Sequence, residues 1–102
     1  MARFDVYRTN IAKAPLIVDV QANFLSDLAT RVAVPLAPFE RASLEQMSRL
    51  LPVINILGER YVFRTTEISS APASLFRRPI TNVERDYREQ ITAALDFLFQ
   101  GF

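Results

Sequence analysis

Leu16-Ile17-Val18-Asp19-Val20-Gln21 is the run on which the fold turns. Its β-branched residues and alternation put Leu16, Val18 and Val20 on one face of a strand. Upstream, Arg3 to Thr9 sets Phe4 and Val6 against Asp5, Tyr7 and Arg8, the period of a half-buried strand, and Asn10 to Pro15 reads as a loop. Downstream, Ala22 to Thr30 holds Phe24, Leu25 and Leu28 in a stretch too short to define a helix. Arg31 to Ala37 then gives another strand, with Val32, Val34 and Leu36 sharing a face. Pro35 cannot donate to a ladder, so that strand is expected at an edge or bulged there, and Pro38 to Arg41 breaks it. Ser43 to Leu51 reads equally as a short helix or an ordered loop.

Pro52 to Leu57 and Arg60 to Thr66 are two apolar β runs around Gly58-Glu59, the pattern of a hairpin. Gly58 is the only glycine before Gly101, so it is expected to serve a positive φ. Ser69 to Pro79 is small, polar and proline-bearing, and reads as a linker. Thr81 to Phe99 predicts an amphipathic helix opened by a capping box, Thr81-Asn82-Val83-Glu84, and ended by a left-handed cap at Gly101. Its apolar stripe is Val83, Tyr87, Ile91, Ala94, Leu95 and Leu98, with a Glu84–Arg88 i,i+4 pair on the polar side. Phe97 and Phe99 fall off that stripe. With Phe102 they make an aromatic end that is either buried or used, because chain ends are ordinarily polar and loosely held.

The composition, 102 residues at 50% hydrophobic and 23% charged, describes one ordinary globular domain spanning 1–102. A net charge of +1 gives no whole-molecule field toward nucleic acid or an anionic membrane. No apolar run reaches the roughly 18 residues of a membrane span and no basic-then-apolar leader opens the chain, so a cytoplasmic protein is expected. Lys13 is the one lysine among 12 basic residues; the rest are arginines, planar donors suited to carboxylates or phosphates.

With no His and no Cys, the ordinary nucleophile–base pairs and Cys- or His-based metal sites are excluded. Asp19 could serve as a general acid or base, but a solvated or hydrogen-bonded strand carboxylate is the commoner case. Asp86 and Glu89 could pair as carboxylates, yet Arg85 and Arg88 flank them, as on a salt-laced solvent face. Arg77-Arg78 could hold a phosphate, but no glycine-rich nest accompanies them. Only the aromatic C-terminus competes evenly as a functional feature, and a homodimer seam there would satisfy both readings.

The order of Val18-Asp19-Val20-Gln21, Arg31 before Val34-Pro35-Leu36, Leu51-Pro52-Val53 with its hairpin, Thr65-Thr66, Ser70-Ala71-Pro72 and a terminal Phe99-x-Gly101 resembles the CcdB family of bacterial toxins across essentially the whole chain. The resemblance implies a mainly β fold with a C-terminal α-helix: an SH3-like antiparallel barrel or sheet with a small three-stranded wing. It also implies a homodimer through that helix, a CcdA-like antitoxin partner, no enzymatic activity and no cofactor. The toxin binds the DNA gyrase A subunit and traps the enzyme with its DNA cleaved, with no sequence-specific nucleic-acid contact of its own and no membrane.

The residues that the resemblance assigns to the gyrase contact are Phe24 and Leu25 after the second strand, with Asp96, Phe99, Gln100, Gly101 and Phe102 at the end. Gly101 matches the family's Trp-Gly-aliphatic terminus, whereas Gln100 stands where the family has Trp. Arg8 to Ala14 and Glu40 to Arg49 are the loops nearest the antitoxin's path in the family, and no antitoxin residue is assigned. Two rivals remain: an endoribonuclease of the related MazF and Kid toxins, which would conscript Arg31, Asp19 or Asp86, and a CcdB-fold protein that no longer poisons gyrase.

Overall fold

The computed structural model describes residues 2–11, 13–25, 27–39 and 49–101. Most of the expected element over Ser43 to Leu51 and of the loop from Glu40 to Arg49, together with Phe102, lies outside the described residues. Among those described, strands β1 (Asp5–Arg8), β2 (Leu16–Asp19), β3 (Thr30–Pro38), β4 (Val53–Ile56), β5 (Glu59–Phe63), β6 (Ser69–Pro72) and β7 (Thr81–Asn82) precede helix α1 (Glu84–Gln100). All pairings are antiparallel, in the order β4-β5-β3-β2-β1-β7, and β6 branches from β3. The sheet curls into a half-barrel closed by the one C-terminal helix.

The Leu16 run behaves as its alternation dictates. Leu16, Val18 and Val20 lie in the core beside Val6, Val34, Leu36, Ile54, Phe63 and Ile91. The opposite face carries a second, smaller core of Tyr7, Ala33 and Phe76, in which the Tyr7 and Phe76 rings meet edge to face at 5.2 Å. The first strand is therefore not half-buried: Asp5, Val6 and Tyr7 are all buried, because both faces of the sheet are covered at that point. Phe4 turns its ring into the main core at φ 72°, while its N–H donates to Asp19 O at 2.6 Å and its carbonyl accepts from Val83 at 3.0 Å.

Pro35 does not mark an edge. It sits in the interior strand, facing Ile17 of β2, and its carbonyl accepts from Arg64 N at 3.0 Å on the other side. That second side of β3 pairs with β6 over Thr30 to Ala33 and with β5 over Leu36 to Pro38. Pro35 falls in the gap between the two partners, where no ladder donor is required. The supposed linker contributes β6 itself, since Ser69 to Pro72 finds a strand edge to pair with despite its weak β propensity.

The β4–β5 hairpin turns on Leu57-Gly58, with φ of 52° and 91°, the signs of a type I′ turn. Gly58 meets this backbone freely, but Leu57 carries a side chain that is 69% exposed and a conformation that suits Asn. Replacing Leu57 with Asn is expected to stabilise the fold by about 0.5–1 kcal/mol through relief of that strain. A thermal melt reads this as a rise of a few degrees, and a fall would show that Leu57 holds packing of its own.

Helix α1 begins later than the sequence suggests. Thr81-Asn82 is not a capping box but strand β7, paired with Val6 and Asp5 of β1. Val83 is the N-cap and contributes no side-chain bond; instead Asn82 Oδ1 accepts from Glu84 N at 2.9 Å. Glu84 and Asp86 in the first turn suit the positive end of the helix dipole. Val83, Ile91 and Ala94 are buried as expected, with Tyr87 and Leu95 packed partly against the main core. Arg88 pairs with Glu84 at 3.5 Å, and Gly101 caps the helix at φ 79° with its N–H on Phe97 O.

Candidate functional site

Gly101 stops the helix in a left-handed turn, and Phe99 stands at its tip. Phe99 is 70% exposed, and Asp96, Gln100 and Gly101 are exposed with it. Phe97 is not part of a free apolar surface: it is half-buried, and the Arg49 guanidinium stacks over its ring at 4.7 Å.

The other expected contact stretch forms a single 3-10 turn, Asn23–Leu25. Phe24 is 95% exposed and Leu25 44%, with Leu28 at 51% beside them. An aromatic side chain held out in water on an ordered turn needs a rigid frame, and the frame is built from the motif before it. Gln21 accepts from Val32 N through Oε1 at 3.0 Å and donates through Nε2 to Leu25 O at 2.7 Å. Asn23 Oδ1 accepts from Arg3 N at 2.7 Å. Periodicity gave no sign of the roles of Gln21 and Arg3; the signal was a polar amide ending an apolar strand, which a buried carboxamide clamp explains.

Asp19 and Arg31 lie beneath this turn, both fully buried, with Arg31 Nε 2.5 Å from Asp19 Oδ2. Asp19 Oδ1 also accepts from Gln21 N at 3.0 Å. The two Nη atoms of Arg31 have no hydrogen-bond partner among the described residues. Tyr7 Oη lies 3.3 Å from Asp5 Oδ2, and burial, with the neighbouring Asp5 carboxylate, pushes the phenol up to about 12. It therefore stays protonated and donates to Asp5. Asp5 further accepts from Ala2 N and Asn82 Nδ2, tying the chain start to β7. Asp19 is thus hydrogen-bonded and sealed from solvent.

The structure does not bring the two expected contact stretches together within one chain. Asn82 Nδ2 donates to Arg3 O, and Arg3 N binds Asn23, so the Phe24 turn sits by the start of α1. Phe99 stands about 22 Å along the helix axis from Glu84, at a rise of 1.5 Å per residue. Asp86 and Glu89 are on the exposed helix face, and Arg77-Arg78 in an exposed loop. No helix of the described residues is long and apolar enough to cross a membrane.

The described residues thus form a curled antiparallel half-barrel under one terminal helix, with Phe24 and Phe99 exposed and Asp19 and Arg31 buried. Residues 3–101 match the family model described as CcdB protein, and the chain belongs to the CcdB family. Membership makes it a toxin of the toxin–antitoxin type.

Proposed function

We propose that this toxin binds the A subunit of DNA gyrase and holds the enzyme with its DNA cleaved, acting by binding and not by catalysis. The observation that carries the reading is the exposed Phe99 beside the left-handed Gly101 cap, at the end of a chain of this family. The Phe24 turn adds the second apolar contact. The proposal includes a homodimer, in which the helix tip of one chain would stand near the Phe24 turn of the other. A CcdA-like antitoxin, disordered until it folds on the dimer, would neutralise the toxin in the cytoplasm by covering a large surface. The ribonuclease reading gains nothing from Asp19 and Arg31, whose side chains are sealed in one buried pair.

The test is a plasmid cleavage assay with purified gyrase, comparing the full chain with one ending at Phe99, both checked for fold and dimer. Linear DNA with the full chain alone supports poisoning through the terminus. Linear DNA with neither chain means that the target has changed, and equal linear DNA with both means that the contact lies elsewhere.

A further inference from the structure

The Phe24 turn has no core of its own. Asn23, Phe24 and Leu25 are all exposed, and a single 3-10 turn of this length has little stability by itself. Its local bonding is slight: Leu25 N donates to Ala22 O at 2.9 Å, and Leu28 N to Leu25 O at 3.3 Å. Two polar tethers fix the turn on the sheet, one at each end. Leu25 O accepts from Gln21 Nε2 at 2.7 Å, and Asn23 Oδ1 accepts from Arg3 N at 2.7 Å.

Both tethers are themselves anchored. Gln21 is buried, its N–H donates to Asp19 Oδ1 at 3.0 Å, and its Oε1 accepts from Val32 N at 3.0 Å. Arg3 donates through Nε to Val20 O at 3.1 Å, and its carbonyl accepts from Asn82 Nδ2 at 3.1 Å. A neutral carboxamide suits the place of Gln21, since one terminal atom must accept from Val32 while the other donates to Leu25. A contact residue on a loose loop loses affinity to the entropy of ordering it, and a loop already held in its bound shape avoids that cost. Gln21 is too deeply buried to meet a partner, so its effect on binding runs through the turn.

We propose that Gln21 is a positioning residue for the target contact: together with the Asn23 tether, it holds the turn so that the Phe24 ring meets the gyrase A subunit without reordering. This role rests on the gyrase reading above.

The experiment measures binding of the full chain to the purified gyrase A subunit for Gln21→Met, Asn23→Ala, Phe24→Ala and the double variants Gln21→Met/Phe24→Ala and Asn23→Ala/Phe24→Ala. Amide hydrogen exchange on the free chains reports the turn directly. Circular dichroism checks each fold, and Asn23→Ala, at an exposed position, carries the test if Gln21→Met does not fold. Ile54→Val, in the core on β4, is the control for lost stability alone.

Gln21→Met and Asn23→Ala are each expected to weaken binding at least fivefold, and Phe24→Ala at least tenfold. Each double variant should bind within twofold of Phe24→Ala, because a turn without its ring has nothing left to position. Exchange at the Leu25 and Leu28 amides should rise at least tenfold in both tether variants, with that of Phe63 in β5 unchanged. Ile54→Val should bind as the unaltered chain does.

Unchanged exchange at the turn, or a double variant whose loss equals the product of the two single losses, would overturn the positioning role and leave the gyrase reading standing. So would a loss in Ile54→Val as large as that in Gln21→Met. No binding by the unaltered chain, or undiminished binding by Phe24→Ala, would overturn the gyrase contact at this turn and the positioning role with it.

Discussion

Replacing Asp19 with Ala is expected to lower the unfolding free energy by about 3–5 kcal/mol, the cost of leaving a buried cation without its counter-charge. Asp19 and Arg31 are both sealed from solvent, and Arg31 already has two Nη atoms unpartnered among the described residues. Removing the carboxylate strands the whole guanidinium in a low-dielectric site and also deprives Gln21 N of its acceptor. For a chain of this size the loss corresponds to roughly 15–30 °C in Tm, a large share of a typical total stability of about 5–15 kcal/mol.

The companion experiment replaces both partners at once, Asp19→Leu with Arg31→Met. Apolar replacements of a buried pair are often neutral or stabilising, so most of the loss should return. Urea unfolding of the two single variants and the double one gives the coupling. A double variant no more stable than Asp19→Ala would mean that the pair is needed for more than mutual compensation.

On the gyrase reading, Phe99→Ala is expected to weaken binding to the gyrase A subunit about thirtyfold or more, the roughly 2 kcal/mol of an aromatic anchor. Its effect on unfolding should stay within about 0.5 kcal/mol, because the ring is 70% exposed and forms no part of the core. Gln100→Trp should act in the opposite direction. An indole buries a large apolar face with little side-chain entropy to lose, whereas glutamine offers hydrogen bonds at a greater ordering cost. Surface plasmon resonance on the A subunit measures both variants. Unchanged affinity in Phe99→Ala would remove the helix tip from the contact.

The alternating run from Leu16 was legible because the pleat is local: successive side chains point to opposite faces whatever the partner strand. The hairpin was legible for a similar reason, since Gly58 between two apolar runs specifies its own turn. Thr81-Asn82-Val83-Glu84 misled. A capping box is a local preference of about a kilocalorie per mole, and pairing with β1 gives Thr81 and Asn82 a different set of backbone partners. β6 was invisible, because Ser69 to Pro72 has little β preference of its own and becomes a strand only against Thr30 to Ala33. Of the site, the exposed Phe99 and the Gly101 cap followed from helix periodicity, while the amide clamp under Phe24 did not, because its partners are distant in sequence.

The sequence by itself determined the strand and helix periods, the absence of His and Cys chemistry, and the off-stripe place of Phe99 on its helix, all properties read from composition and from neighbouring residues. The tertiary structure alone decided that Tyr7 is buried, that Pro35 sits within the sheet, and that Asp19 meets Arg31 in the dark. Each depends on which strand edge and which face another segment covers, and such long-range pairing leaves no period in the chain.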